Sequence, residues 1–178
     1  MYKCFGLSIE NNIVHLQMNR PEKCNSMILE FWTELPEIVA DIDTGSKARV
    51  IVLSSIGPHF TAGLDESLFA FVGEGGSEAD EDTGNIQSGS AFYQNVTQLQ
   101  TAFTSLAACT IPVLAAIQGG CIGGGMDLII ACDMRYGTED SFYTILKKTL
   151  QWPQMGAFSA PDQPHSKGCC ARNGRYRS

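Results

Sequence analysis

The chain has 178 residues, and its apolar fraction of 44% suffices for a buried core and excludes disorder over most of its length. Its net charge of −7 at pH 7 argues against a nucleic-acid-binding or anionic-membrane surface, because both need clustered lysine and arginine. No apolar stretch reaches the roughly 18–20 residues of a membrane span, so we expect no transmembrane helix.

The first predicted elements are a β-hairpin and an amphipathic helix. Residues 5–9 and 13–18 alternate as strands do, and two asparagines between them favour a turn. Asn25 or Ser26 is placed to cap the helix, and Pro36 is expected to kink or shorten it. Its apolar positions recur at helical spacing and are Ile28, Phe31, Trp32, Leu35, Ile38, Val39 and Ile42.

The remaining predicted elements alternate between strands and helices. In chain order they are a strand at residues 49–54, an acidic surface loop at 73–89, a helix at 91–108, a strand at 112–117, a glycine-rich turn, a short helix at 126–132 and a strand that begins at Met134. This alternation predicts an α/β fold with a largely parallel sheet, in which one strand follows another through a helix.

The composition changes near residue 145. Residues 1–144 carry 18 acidic and six basic side chains, whereas residues 145–178 carry one acidic and six basic ones and show neither helical nor strand spacing. We therefore expect a folded domain at 1–144 and a divergent, poorly structured tail at 145–178. The seven cysteines show no repeated metal-binding spacing, so a reducing compartment and no metal site are expected.

Two segments that follow predicted strands are candidates for a binding site. They are residues 57–65 and 118–127, and the second has five glycines in seven residues before a helix. Glycines let a ligand approach the backbone, and unpaired amides at a helix start suit an anion or a carbonyl oxygen that becomes one. Neither a dinucleotide fingerprint nor a P-loop lysine is present, and Asp127 follows instead. Asp127 could transfer a proton; alternatively, the turn serves only close packing.

Four motifs in order resemble the enoyl-CoA hydratase/isomerase (crotonase) family over residues ~5 to 144. They are Asn19–Met27, His59–Asp65, Ile111–Leu128 and Ala131–Tyr136. The closest resemblance is to the dienoyl-CoA isomerase branch, because Asp127 stands after the triple glycine where hydratases usually carry glutamate.

The resemblance implies a fold of repeated ββα units, an acyl-CoA thioester as ligand and assembly into trimers or hexamers. It implies no separate cofactor, because coenzyme A is part of the substrate. It also implies a mitochondrial or peroxisomal location, although no targeting signal is visible in this sequence.

The resemblance also implies the roles of individual residues. The backbone amides of Ala62 and Gly124 would form an oxyanion hole for the thioester oxygen. Residues Ala62, Gly63, Leu64 and Asp65, with Gly124, would bind the substrate. Asp127 would be the catalytic group that serves the far carbon of a diene.

The chain departs from the family pattern downstream. A second carboxylate is expected twenty residues after Asp127, but Lys147 stands there. The resemblance fades from about Ile145, so the chain is expected to be a truncated or replaced form. The implied function is isomerisation of 3,5-dienoyl-CoA to 2,4-dienoyl-CoA in fatty-acid β-oxidation, impaired without the second carboxylate. The alternatives are an enoyl-CoA hydratase, or a non-catalytic remnant that binds acyl-CoA or sibling subunits.

Overall fold

The computed structural model of the chain describes residues 2–45, 48–68, 97 and 99–145. The predicted acidic loop at 73–89 lies outside these residues, as do the first part of the predicted helix at 91–108 and the predicted tail from residue 146, which includes Lys147. The division at residue 144 into a domain and a tail therefore stays a prediction.

The chain begins with the predicted hairpin. Strand β1 (Phe5–Glu10) pairs with strand β2 (Ile13–Met18) in antiparallel register. Asn11 and Asn12 both have positive φ angles, 51° and 66°. Two-residue hairpin turns with positive φ at both positions match the twist of the strands, and asparagine tolerates that conformation. The hairpin prediction is confirmed.

The first helix, α1, begins later than the sequence indicates. It spans Leu29–Thr44 and buries six of the predicted apolar residues, but it begins after Ile28 and has no side-chain cap, so neither Asn25 nor Ser26 caps it. It continues through Pro36, so Pro36 does not shorten the helix, and the alternative expectation of a kink stays a prediction. A proline costs a helix interior about 3 kcal/mol, and burial of Leu35 and Ile38 on either side offsets that cost.

Most of the remaining strands form one parallel sheet. After α1 come β3 (Val50–Ser55), a helix at residues 99–107 (α2), β4 (Val113–Ile117), β5 (Gly120–Ile122), α3 (Gly124–Ile130), β6 (Met134–Gly137) and β7 (Phe142–Thr144). The five-stranded sheet has the order β1-β2-β3-β4-β6, and every pair from β2 onward is parallel. The predicted α/β fold with a largely parallel sheet is confirmed.

Two short strands form a separate parallel pair. β5 pairs with β7, and neither strand was expected from the sequence. Each has only three residues, and Gly120 in β5 lies so close to the ring of Phe142 that an added methyl group would be 2.7 Å from it. Such short strands have no alternation to recognise in a sequence.

An aromatic chain joins the hairpin to the helices. The ring centroids of Phe5 and Phe31 are 5.1 Å apart, and those of Phe31 and Trp32 are 5.3 Å apart. The centroid of Trp32 lies in turn 5.2 Å from that of Phe103 in α2. All four side chains are buried. This core holds α1 and α2 against the sheet and leaves the carboxyl ends of β3 and β4 side by side. Within the described ranges, no helix is long and apolar enough to span a membrane.

Replacing Pro36 by alanine is expected to stabilise the protein by about 1–2 kcal/mol, because alanine restores a backbone donor in the middle of α1. The measurement is the free energy of unfolding in urea. The exposed neighbour Glu37→Ala is the control and should change it little. A loss of stability in Pro36→Ala would show that the proline ring contributes more by packing than it costs the helix.

Candidate active site

Residues 59–65 run from the carboxyl end of β3 and lie directly against β5. Thr61 donates its N–H to the Gly120 carbonyl at 3.1 Å, and the Ile122 N–H donates to the Thr61 carbonyl at 3.0 Å. The two candidate segments, which are about sixty residues apart in sequence, are thus hydrogen-bonded side by side. The structure thus brings the two candidate segments together, and their role as one binding site stays a prediction.

The opposite edge of residues 59–65 is bonded to residues 24–27. The Ala62 N–H donates to the Cys24 carbonyl at 2.9 Å. Further along, the Met27 N–H donates to the Gly63 carbonyl at 2.8 Å, and the Asp65 N–H donates to the Met27 carbonyl at 3.1 Å. The segment therefore lies between two neighbours and has little freedom to shift.

These bonds distinguish the amides of Ala62 and Leu64. The Ala62 N–H points toward residues 24–27 and already has an acceptor there. Leu64 is paired with Met27 as in a parallel sheet, and the two hydrogen bonds of this pair are made by Gly63 and Asp65. Because successive residues of a strand face opposite edges, the N–H of Leu64 points away from Met27. Within the described part of the chain, the Leu64 N–H has no acceptor. Leu64 is therefore better placed than Ala62 to bind an oxygen atom in the site.

Gly124 presents a second amide on that side. It is the first residue of α3, and no side chain caps the helix start. Gly63 has a φ of +85°, and a methyl group added to it would lie 2.6 Å from the Ile122 carbonyl oxygen and 3.3 Å from the Gly124 nitrogen. Glycine at position 63 thus lets the backbone next to Leu64 approach the start of α3. The partial positive charge of a helix start adds to the attraction for an anionic oxygen.

Asp127 lies in the first turn of α3, in the same turn as Gly124. Burial raises the pKa of its carboxyl above the ordinary value. Among the described residues, this carboxyl has no hydrogen-bond or ion-pair partner. A half-buried, unpaired carboxyl with a raised pKa is suited to holding and transferring a proton.

The carboxylate of Asp65, a predicted substrate-binding residue, has structural partners. It accepts hydrogen bonds from the Ser26 hydroxyl at 2.6 Å and from the Ser67 hydroxyl at 2.8 Å, and Arg20 lies 3.7 Å away. The two serine hydroxyls lower the pKa of Asp65 to about 2, and Arg20 adds to the effect. The side chain therefore fastens residues 59–65 to the segment before α1.

Asn25 is a second anchor that sequence reasoning missed. Its buried side chain accepts the Arg20 N–H at 2.9 Å and donates to the carbonyls of Ile56 and His59 at 2.8 and 3.1 Å. Its predicted role was to cap a helix. The long-range partners that decide its actual role have no signal in the local sequence.

No group of three or more His, Cys, Asp or Glu side chains suited to a metal ion occurs among the residues that the structure describes. The candidate site thus consists of two backbone amides, one half-buried carboxyl and the anchors behind them. This set can polarise a carbonyl oxygen and move a proton beside it.

A family model described as enoyl-CoA hydratase/isomerase matches residues 8–157. The chain belongs to the enoyl-CoA hydratase/isomerase family. The chain is similar to the mitochondrial Delta(3,5)-Delta(2,4)-dienoyl-CoA isomerase of Mus musculus, with 41% identity over 140 residues that cover 78% of this chain and 41% of the relative. A peroxisomal enzyme of the same name from Arabidopsis thaliana is 38% identical over 141 residues, which cover 79% of this chain and 50% of that relative.

Solved structures of the enoyl-CoA hydratase/isomerase family share the fold. An enoyl-CoA hydratase from Mycobacterium smegmatis superposes with a TM-score of 0.67 at 24% identity and covers 79% of this chain and 49% of its own. An enoyl-CoA hydratase/carnithine racemase from Magnetospirillum magneticum gives a TM-score of 0.67 at 24% identity, covering 85% and 54%. The chain spans half or less of the length of the two isomerases above. The crotonase-like fold is confirmed for this part.

Replacing Gly125 by alanine is expected to destabilise the protein by about 1–3 kcal/mol, because its methyl group would overlap Thr61 Cγ2 and lie 3.0 Å from Cys121 Sγ. Thr61 cannot turn aside freely, since its hydroxyl donates to the Asn25 carbonyl. Thermal unfolding is the measurement. Gly124→Ala is the control, because its methyl group would make only an ordinary 3.5 Å contact with Met27 Sδ. Equal melting temperatures for the two variants would contradict the close packing of α3 on Thr61.

Replacing Asp65 by asparagine is expected to reduce stability at pH 7 by about 1.5–3 kcal/mol, the range of hydrogen bonds to a charged group. The folded pKa of about 2 lies below the ordinary 3.8, so the carboxylate stabilises the fold above that ordinary value. This stabilisation is lost as the pH falls through about 2. Urea unfolding across this pH range should show the two proteins converging in acid, with Glu66→Gln as the exposed control. A difference that does not depend on pH would contradict the assignment.

Proposed function

We propose that this site binds the thioester group of a 3,5-dienoyl-CoA and transfers a proton during its conversion to the 2,4-dienoyl isomer. The observation that carries the proposal is the unpaired, half-buried Asp127 carboxyl in the same helical turn as the free amide of Gly124. The names of the relatives from mouse and Arabidopsis support the same substrate class.

Two amides would hold the thioester oxygen, those of Gly124 and Leu64. Leu64 replaces Ala62 as the second donor, because the Ala62 N–H is already bonded to the Cys24 carbonyl. Negative charge develops on the thioester oxygen when a proton leaves the neighbouring carbon. Each donor of such a pair typically contributes ~2.7–4 kcal/mol of transition-state stabilisation.

The isomerisation needs two proton transfers. A base removes a proton from C2, and the electron pair moves into the conjugated system to give an enolate whose oxygen the amides hold. A proton then adds to C6, which leaves double bonds at C2 and C4. Asp127 would donate the proton at C6, since its raised pKa keeps a larger fraction of the carboxyl protonated.

The proton at C2 needs a second group, and the sequence offers Lys147 in place of the expected carboxylate. A lysine that is charged at neutral pH cannot accept a proton. Low turnover is therefore expected of this chain, and Lys147 favours acyl-CoA binding without efficient catalysis as a second candidate function. Residue 147 lies outside the residues that the structure describes.

Properties of the whole protein complete the proposal. The relatives' names favour a mitochondrial or peroxisomal location, and the resemblance favours a trimer or a hexamer. The proton transfers above need no cofactor besides the coenzyme A of the substrate.

Replacing Lys147 by glutamate is expected to raise kcat for a 3,5-dienoyl-CoA by about 10²-fold, the usual contribution of one general base. The measurement is the ultraviolet absorbance that appears when the diene becomes conjugated with the thioester carbonyl. Lys148→Glu, with the same charge change one residue away, is the control.

The double variant Lys147→Glu with Asp127→Asn should lose the gained activity, because Asp127 then cannot transfer a proton. If Lys147→Glu and Lys148→Glu have the same low turnover while octanoyl-CoA binds, the isomerase proposal fails and the binding function remains.

A further inference from the structure

His59 connects the two segments of the site through its side chain. Its Nδ1 accepts a hydrogen bond from the Gly120 N–H at 3.0 Å. Its own carbonyl accepts bonds from the Asn25 side-chain amide at 3.1 Å and from the Ser55 hydroxyl at 3.2 Å. The residue is therefore fixed at both ends, with its backbone tied to the anchors of the site and its ring tied to the start of β5.

The bond to Gly120 requires a particular state of the imidazole. Because Nδ1 accepts a hydrogen bond through its lone pair, the ring must be neutral with its hydrogen on Nε2. Protonation would place a second N–H opposite the Gly120 N–H and replace an attraction by a repulsion. The centroid of the ring lies 6.0 Å from that of Phe142 in β7, in an edge-on arrangement. The carboxyl of Asp140, between β6 and β7, interacts with the ring electrostatically.

The hydrogen bond between the His59 ring and Gly120 lies where the two segments that carry the Leu64 and Gly124 amides begin. Leu64 is five residues beyond His59, and Gly124 is four residues beyond Gly120. The Thr61 bonds to Gly120 and Ile122 follow directly along the same edge. Gly119, with a φ of +55°, leaves no room for adjustment, since an added methyl group would overlap the Pro58 carbonyl oxygen and lie 2.8 Å from Nδ1. A shift at His59 would therefore be transmitted to the spacing of the amides.

We propose that His59 is a positioning residue for the oxyanion site: its neutral ring accepts the Gly120 N–H and so sets the separation of the Leu64 and Gly124 amides. This inference rests on the proposed function for the binding of a thioester oxygen. His59 touches no reacting atom. Its effect is on how well the two amides converge.

The first test examines the bond itself, without any ligand. In the full chain, the nitrogen chemical shifts of the His59 ring should show the Nε2–H form at neutral pH. The Gly120 amide should be protected from hydrogen exchange in the wild type and in His59→Asn, whose side-chain oxygen lies near the position of Nδ1, and exposed in His59→Phe. The other tautomer, or equal protection in all three proteins, would overturn the bond.

The second test measures its consequence for the site with two probes, octanoyl-CoA and its thioether analogue S-octyl-CoA, which lacks the carbonyl oxygen. The ratio of their dissociation constants isolates the contact to that oxygen. The wild type should prefer the thioester severalfold, His59→Phe should lose the preference with the thioether affinity unchanged, and His59→Asn should restore it.

The outcomes separate the two proposals. If the wild type binds both probes equally, the oxyanion site itself is wrong, and the inference fails with it. If the wild type prefers the thioester and His59→Phe keeps that preference while folded, the oxyanion site stands and the role of His59 is overturned. Circular dichroism checks folding, and if His59→Phe does not fold, His59→Ala takes its place as the variant that lacks the acceptor.

Discussion

The site depends on one constraint, which is that residues 59–65 are hydrogen-bonded along both edges. One edge joins β5 and the other joins residues 24–27, so three stretches that are distant in sequence form one small layer. A backbone N–H in such a layer can bind a ligand only if no carbonyl of the neighbouring strand already accepts its hydrogen bond. The Leu64 N–H meets this requirement and the Ala62 N–H does not. The side chains of the two residues give no reason to prefer either one.

Glycine makes this arrangement possible. Gly63 and Gly125 both lie where a methyl group would meet neighbouring atoms, and the backbone of α3 can therefore approach the segment that carries Leu64. The polar anchors Asn25 and Asp65 hold the segment from the other side. Asp127 has no such partner, and its raised pKa is the cost of placing a carboxyl in a half-buried site. Asn25 and Asp65 thus use their polar groups for structural hydrogen bonds, whereas the Asp127 carboxyl has none among the described residues.

The sequence predicted the hairpin, the apolar face of α1 and the parallel sheet, because each depends on local periodicity or turn chemistry. It also singled out, by their motifs, the two candidate segments that the structure places side by side. It left open whether Pro36 kinks or shortens α1, and the helix continues through Pro36 because tertiary burial outweighs a local preference. It missed β5 and β7, which are too short to show alternation. It also favoured Ala62 over Leu64, since the direction of a backbone N–H depends on partners that a single segment does not contain.

The central claim is that the Leu64 and Gly124 amides bind one thioester oxygen. The most direct measurement compares backbone amide chemical shifts of the full chain in the presence of octanoyl-CoA and of S-octyl-CoA. The account predicts that the carbonyl oxygen shifts the Leu64 and Gly124 amide protons downfield and leaves that of Ala62 unchanged. A shift at Ala62 with none at Leu64, or no difference between the two compounds at Gly124, would contradict it.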